Sequence, residues 1–173
     1  CDSVQIIVDA CQIVSHMAVL EEHCHIILQK NGIGMLSHLI SLRSNPHIQQ
    51  RFRNGLTDTL RIVVAALGAL AQLCNGSPHC RAQAVNAGLF TYQDQGTGQK
   101  VPGPILMMLA ETVPSLEATK DGEHKQQSSG NDEQAVLRRQ RVDAADRALQ
   151  CVEAVAKDVQ TRVALVDCDA SMN

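Results

Sequence analysis

The feature that most constrains this chain is a self-similarity at a fixed separation of 56 residues. Leu60, Val63, Leu67, Leu70 and Cys74 follow one another at intervals of 3, 4, 3 and 4, which is one face of an α-helix. Fifty-six residues earlier stand Val4, Ile7, Cys11, Val14 and Ala18. Eighty-two residues later stand Val142, Ala145, Leu149, Val152 and Ala156, again all apolar. The likeness runs beyond the stripe. Ala10-Cys11, Ala66-Leu67 and Ala148-Leu149 coincide, and so do Cys24 and Cys80, each preceded by a His. Gly32 and Gly88 also coincide, each placed to close a short helix as a C′ glycine. In the third unit one residue is missing, so that Arg162 and Val166 answer Arg81 and Val85 at a separation of 81. Ser77-Pro78 has the form of a helix start, with Ser as N-cap and Pro at the first helical position. A chain that repeats helical units at such intervals buries their apolar faces by stacking them, so an all-α solenoid is predicted.

Composition agrees with helices that approach closely. Aromatic residues make up 2 % of the chain (Phe52, Phe90 and Tyr92), while 45 % is hydrophobic, so the core is built from Ala, Val, Leu, Ile, Cys and Met. Sandwiches and barrels draw more heavily on aromatic and β-branched residues. The net charge is −3, and the nearest approach to a basic cluster, Arg138-Arg139-Gln140-Arg141, is followed by Asp143 and Asp146. A phosphate-binding surface needs clustered cations, so no nucleic-acid partner is expected. The seven cysteines are odd in number, contain no CxxC and fall largely on core stripes, which reads as small hydrophobes in a reducing, cytoplasmic setting, with a nuclear or ciliary one also open. No apolar run approaches the ~20 residues of a membrane helix, and no membrane partner is expected. The chain opens on Cys1 without a signal-like start, so it is expected to be part of a longer polypeptide.

These residues resemble the armadillo repeat. That family's pattern has an Ala-Leu pair, a Leu three on, a small polar residue followed by Leu-Ala, then a short helix ending in Ile-Val-x-x-Gly and another of the form Leu-x-x-Leu-Leu. In those places stand Ala66-Leu67, Leu70, Gln72-Leu73-Cys74 and Ala84-Val85-Asn86-Ala87-Gly88. Ala10, Val14, His16-Met17-Ala18, Leu28 and Asn31-Gly32, followed by Leu36 to Ile40, stand there too. The resemblance implies one right-handed α-α superhelix over 1–173, with about two full three-helix repeats and partial repeats at both ends. Residues 2–20 become the last helix of a repeat. A repeat over 21–76 has helices at 21–31, 33–42 and 57–76, and one over 77–157 has them at 78–87, 103–113 and 135–157. Residues 158–173 carry the first helix of another. Because the family's repeat is about 42 residues long, insertions are expected at 43–56, 89–102 and 117–134, the last disordered for want of apolar residues.

In armadillo stacks the partner lies along the surface lined by the third helices, so the resemblance implies a groove whose residues can be read from the register. They are Gln5, Asp9, Gln12 and His16, then Arg61, Ala65, Gly68 and Gln72, then Asp143, Arg147, Gln150 and Ala154. Import receptors of this fold carry a Trp and, four residues on, an Asn on each groove helix. Those places hold Gln12 and His16, Gly68 and Gln72, Gln150 and Ala154, so nuclear-signal binding is not implied. A catenin-like groove would be strongly basic, and this one is nearly neutral.

The chemistry-bearing residues point away from catalysis. Glu21-Glu22-His23-Cys24-His25 contains good zinc ligands, but adjacent helical residues point in different directions, and no metal or other cofactor is expected. Cys11, Cys74 and Cys151 sit on or beside core stripes, where a thiol is inert. No phosphate loop, dinucleotide fingerprint or carboxylate pair is present. The expectation is therefore a non-enzymatic module that binds an extended or helical segment of a protein partner. The alternative is a structural component of a large cytoskeletal or ciliary assembly. Val4, Cys11, Val14, Leu67, Leu70, Leu149 and Val152 are expected to be buried between helices.

Overall fold

A computed structural model describes residues 3–50, 52, 54–94, 96–117 and 131–166. Along the chain come α1 (Ser3–Met17), α2 (Glu21–Gln29), α3 (Gly32–Ser41), a 3-10 turn at Leu42–Ser44 and α4 (Pro46–Gln49). They are followed by α5 (Leu56–Gly76), α6 (Pro78–Asn86), β1 (Thr91–Gln93), β2 (Lys100–Pro102), α7 (Pro104–Glu117), α8 (Asn131–Ala156) and α9 (Val159–Val166). The described chain is mostly helical, as its periodicity requires.

The 56-residue echo is the pair α1 and α5, which pack against each other, while α8 packs on α5 as well. On α5 the stripe Leu60, Val63, Leu67, Leu70 and Cys74 is buried throughout, and Ala66, Ala69 and Ala71 let neighbouring helices approach closely. Against the sequence expectation, α5 is 21 residues long and contains an 18-residue window with a mean hydropathy of 1.4, enough by length and composition to cross a membrane. Here that apolarity is spent on contact with α1, α3, α6 and α8. Its start is fixed by Asp58, whose carboxylate accepts from the Asn54 backbone N–H at 3.1 Å and from Asn54 Nδ2 at 3.3 Å. An acid in the first turn also complements the positive end of the helix dipole.

Helix ends follow the expected chemistry in part. Gly88 has φ +72°, as a C′ glycine should. Gly32 does not: the left-handed residue after α2 is Asn31 at φ +58°, and Gly32 opens α3 instead. What Gly32 supplies is room, since a Cβ there would lie 2.3 Å from Ile27 Cγ2 and 2.9 Å from Ile27 O. Ser77 takes the N-cap position of α6 with Pro78 next, but its side chain makes no capping bond.

In α8 the register is corrected by one residue. The inward residues are Ala144, Ala148, Cys151 and Val155, which answer Val63, Leu67, Leu70 and Cys74 at the separation of 81 that Arg162 and Val166 already showed. Leu149 is 50 % and Val142 44 % exposed, Val152 is half-buried, and Ala154, read as groove-facing, is buried. The cause is the closeness of α8 to α5. Cys151 Sγ donates to Leu67 O at 3.3 Å, a position with space for a thiol but not for a leucine. Val4, Cys11, Leu67 and Leu70 are buried as expected, and Val14 is half-buried.

Two insertions also differ from plain loops. Within 89–102, Thr91–Gln93 and Lys100–Pro102 form an antiparallel ribbon in which Tyr92 pairs with Val101, anchored by fully buried Leu89 and Phe90. Its turn is held by Thr97, whose N–H and hydroxyl donate to Asp94 Oδ2 at 3.1 and 2.7 Å, and by Gly98 at φ +68°. Three-residue strands are too short to show an alternating pattern in sequence. Residues 43–56 carry the end of the 3-10 turn and α4. Of the stretch expected to be disordered, 118–130 lies outside the described residues, while Glu117 ends α7 and 131–134 begin α8. Helix-forming residues such as Glu133 and Ala135 allow the earlier start.

Candidate functional site

α1 and α8 flank α5 and leave a shared concavity of about 370 Å³. Seven of the residues read from the sequence line it: Gln12 from α1, Arg61, Ala65, Gly68 and Gln72 from α5, and Asp143 and Arg147 from α8. Five residues not singled out in the sequence as groove-facing complete the lining: Val8, Ser15, Val64, Ala69 and Gln140. The concavity is centred on the line Val8, Gln12, Ser15 rather than on Gln5, Asp9, Gln12, His16, a small rotation about α1.

The remaining expected residues lie outside it. Gln5 Nε2 donates to Asp9 Oδ1 at 2.8 Å and Gln5 Oε1 accepts from Arg61 Nη2 at 2.7 Å, so this pair braces the rim. His16 Nδ1 is 2.8 Å from Gln12 O on its own helix. Gln150 accepts from Arg147 Nη1 and donates to Asp146 Oδ2, each at 2.9 Å.

The floor is low at its middle. A Cβ on Gly68 would stand 3.9 Å from Arg147 Cδ and Nε, an ordinary contact, so the glycine leaves open space above α5. Arg61 is held near buried Asp58, 3.7 Å from its Oδ1. On α8, Gln140 Oε1 is buried at the edge of the concavity with no hydrogen-bond partner among the described residues. An orphaned acceptor beside an open polar surface is a place where a donor from outside gains more than usual. The lining thus offers amides, a hydroxyl, two guanidinium groups and one carboxylate over an apolar base.

A second, larger groove of about 650 Å³ lies on the side of α1 turned away from α5, between α1 and the pair α2 and α3. Its walls are almost wholly apolar, with Ile6, Ala10, Ile26 and Met35 among them. Sequence reasoning treated Ile6 and Ile13 neither as core nor as surface, since they lie off the shared stripe.

The side chains of the His23-Cys24-His25 run are engaged within the fold. His23 Nδ1 is 3.2 Å from Met17 O, Cys24 Sγ donates to Ala18 O at 3.4 Å, and Gln29 Nε2 donates to His25 Nε2 at 3.0 Å. These three adjacent residues therefore engage three different partners. Among the described residues no group of three or more His, Cys, Asp or Glu is arranged to hold a metal ion. Burial raises the thiols of Cys11, Cys24 and Cys74, and it pushes Cys80 up to about 11 and Cys151 up to about 12, so the thiolate is suppressed near neutrality.

No protein family, curated protein or solved structure matches the chain.

Proposed function

We propose that this chain is a non-enzymatic armadillo-type protein-interaction module, a right-handed superhelix that holds an extended or helical segment of a partner protein along α1, α5 and α8. The observation that carries the reading is the shared concavity, in which Gln12, Gly68, Gln72, Asp143 and Arg147 from three successive long helices face one space. Solenoids build binding surfaces from equivalent positions on successive helices, and a low glycine floor between amide and charged side chains admits a backbone with its side chains. The suppressed thiols support a non-catalytic role. The unpaired buried cysteines among the described residues suit a reducing compartment such as the cytoplasm.

The test is photocrosslinking. A benzophenone amino acid is placed at Gln72 in the concavity and, as control, at exposed Glu22 on α2. A partner should be captured from Gln72 and not from Glu22, and Gly68→Arg, which fills the floor, should abolish the capture while the protein remains folded. Equal capture from both positions, or capture that survives Gly68→Arg, overturns the proposal.

A further inference from the structure

The charges around the concavity of α1, α5 and α8 divide into those the molecule balances and those it leaves open. Arg61 is balanced: its Nη1 lies 3.7 Å from Oδ1 of buried Asp58, and its Nη2 donates to Gln5 Oε1. Asp143 and Arg147 are not. They stand one turn apart on α8, the usual spacing of a helical ion pair, yet no ion pair joins them. Arg147 turns instead to Gln150, to which its Nη1 donates at 2.9 Å, and its Cδ and Nε lie over Gly68. Asp143 has no hydrogen bond or ion pair among the described residues. Gln140 Oε1, one turn before it, is the buried acceptor without a partner among them.

Gln140, Asp143 and Arg147 are spaced i, i+3 and i+7, so they form one line along the wall of the concavity. Acceptors stand at one end of that line and a cation at the other. At 1.5 Å per residue, Asp143 and Arg147 are about 6 Å apart along the helix axis. An extended chain repeats its same-side residues at about 6.6 Å, two positions on, which matches this spacing. One turn of helix, about 10 Å across and 5.4 Å long, occupies about 420 Å³. That exceeds the whole concavity of about 370 Å³, so a helix lies across its mouth, whereas an extended chain enters.

We infer, resting on the groove role proposed above, that the concavity takes an extended peptide segment carrying a base and an acid two residues apart. The base meets Asp143 and Gln140, and the acid meets Arg147 over the Gly68 floor. A lysine or arginine can donate to both acceptors, and Gln140 Oε1 gains the donor it lacks. A carboxylate accepts from the Arg147 N–H groups that Gln150 does not use, a charge-assisted bond. A segment with two bases or two acids meets a like charge at one end, so the pair of wall charges selects against both.

The experiment selects linear peptides from a random display library on the immobilised full chain, with Gly68→Arg as the counter-selection. Enriched peptides should carry Lys or Arg and Asp or Glu two positions apart. In fluorescence anisotropy, a synthetic enriched peptide should lose about tenfold in affinity on Asp143→Asn and on Arg147→Gln. Both positions are exposed, so circular dichroism should show each variant folded like the parent. The double variant Asp143→Arg, Arg147→Asp should prefer the same peptide with its two charges exchanged, which a loss of folding cannot produce. Enriched peptides that Gly68→Arg blocks but that lack the charge pair overturn the inference and leave the groove standing. So does a pair four positions apart, the register of a helix, and so does a double variant that does not transfer its preference. A library that yields no peptide sensitive to Gly68→Arg overturns the groove role as well.

Discussion

Leu70 and Leu149 occupy positions that the sequence treats alike, and the structure separates them, so truncating each to alanine measures the register of α8 directly. Leu70 has no exposed surface and sits in α5, which α1, α3, α6 and α8 all touch. Removing three carbons there loses their transfer energy and leaves a void that helices on several sides cannot all move to fill. The expected loss is about 3–5 kcal/mol, the upper part of the range for buried Leu→Ala changes. Leu149 is 50 % exposed. Three methylene equivalents at about 0.8 kcal/mol each, halved for exposure, give about 1 kcal/mol, with no closed cavity to add and a slight gain in helix propensity to subtract. The assay is equilibrium urea unfolding of the parent and both variants in dilute protein, accepted where the slope m is unchanged. A gap of about 2–4 kcal/mol between the two substitutions is expected. Equal losses would refute the assignment of Ala148 and Cys151, rather than Leu149, to the α5 joint.

Three further outcomes follow from particular groups. The folded chain holds the Cys80 and Cys151 protons more tightly than the unfolded chain does, so stability should be complete below pH 9 and fall as the pH rises toward 11 and 12, which urea midpoints under reducing conditions would show and Cys151→Ala should partly flatten. Gly68→Ala should raise the melting temperature, the gain being about 0.5–1 kcal/mol for an interior helix glycine with room for a methyl group, and a lower melting temperature would mean that the floor of the concavity is already under load. Cys24→Ala should cost about 1–3 kcal/mol by leaving the Ala18 carbonyl without its donor, whereas Cys24→Ser should keep most of that stability; equal losses in a denaturant titration would mean that the thiol acts by volume alone.

Much of the helix order was legible because a stacked chain uses one stripe many times. Val4, Cys11, Leu67 and Leu70 lie inward for the same reason, and the short helices α2, α6 and α9 each begin where a long one has just ended. What failed was the third unit. The stripe Val142, Ala145, Leu149, Val152, Ala156 is an apolar face of α8, but it is only half-buried to exposed, with Val142 44 % and Leu149 50 % exposed. The inward face, Ala144, Ala148, Cys151 and Val155, is built of smaller residues and so gives the weaker hydrophobic signal. In a solenoid a helix is apolar on two sides, toward the helix before it and the one after, and periodicity alone cannot tell which side is occupied. The hairpin at 91–102 was hidden for another reason: its stability comes from Leu89 and Phe90 beside the strands and from the close approach of Gly103, whose N–H donates to Phe90 O at 2.6 Å.

The turn that joins a long helix to the next short one explains why Cys24, Cys80 and Thr161 fall in step. Cys24 Sγ donates to Ala18 O and Thr161 Oγ1 to Val155 O, each six residues back, at positions related by the separations of 56 and 81 through Cys74 and Cys80. The last carbonyls of a helix have no partner along its axis, and in a buried turn water cannot serve them. A short side chain with one polar hydrogen meets the need without adding bulk. The neighbouring arginines do the same from outside, Arg81 Nη1 reaching Cys74 O at 2.8 Å and Arg162 Nε reaching Ala156 O at 2.9 Å. In the His-Cys-His run, His23 and Cys24 meet the carbonyls of Met17 and Ala18 at this junction, while His25 pairs with Gln29 on its own helix. Site residues were legible to the same degree as this register. Gln12, Gly68 and Gln72 meet because α1 and α5 share one phase, and Asp143 and Arg147 of α8 face the same space, while Gln150 and Ala154 lie outside it.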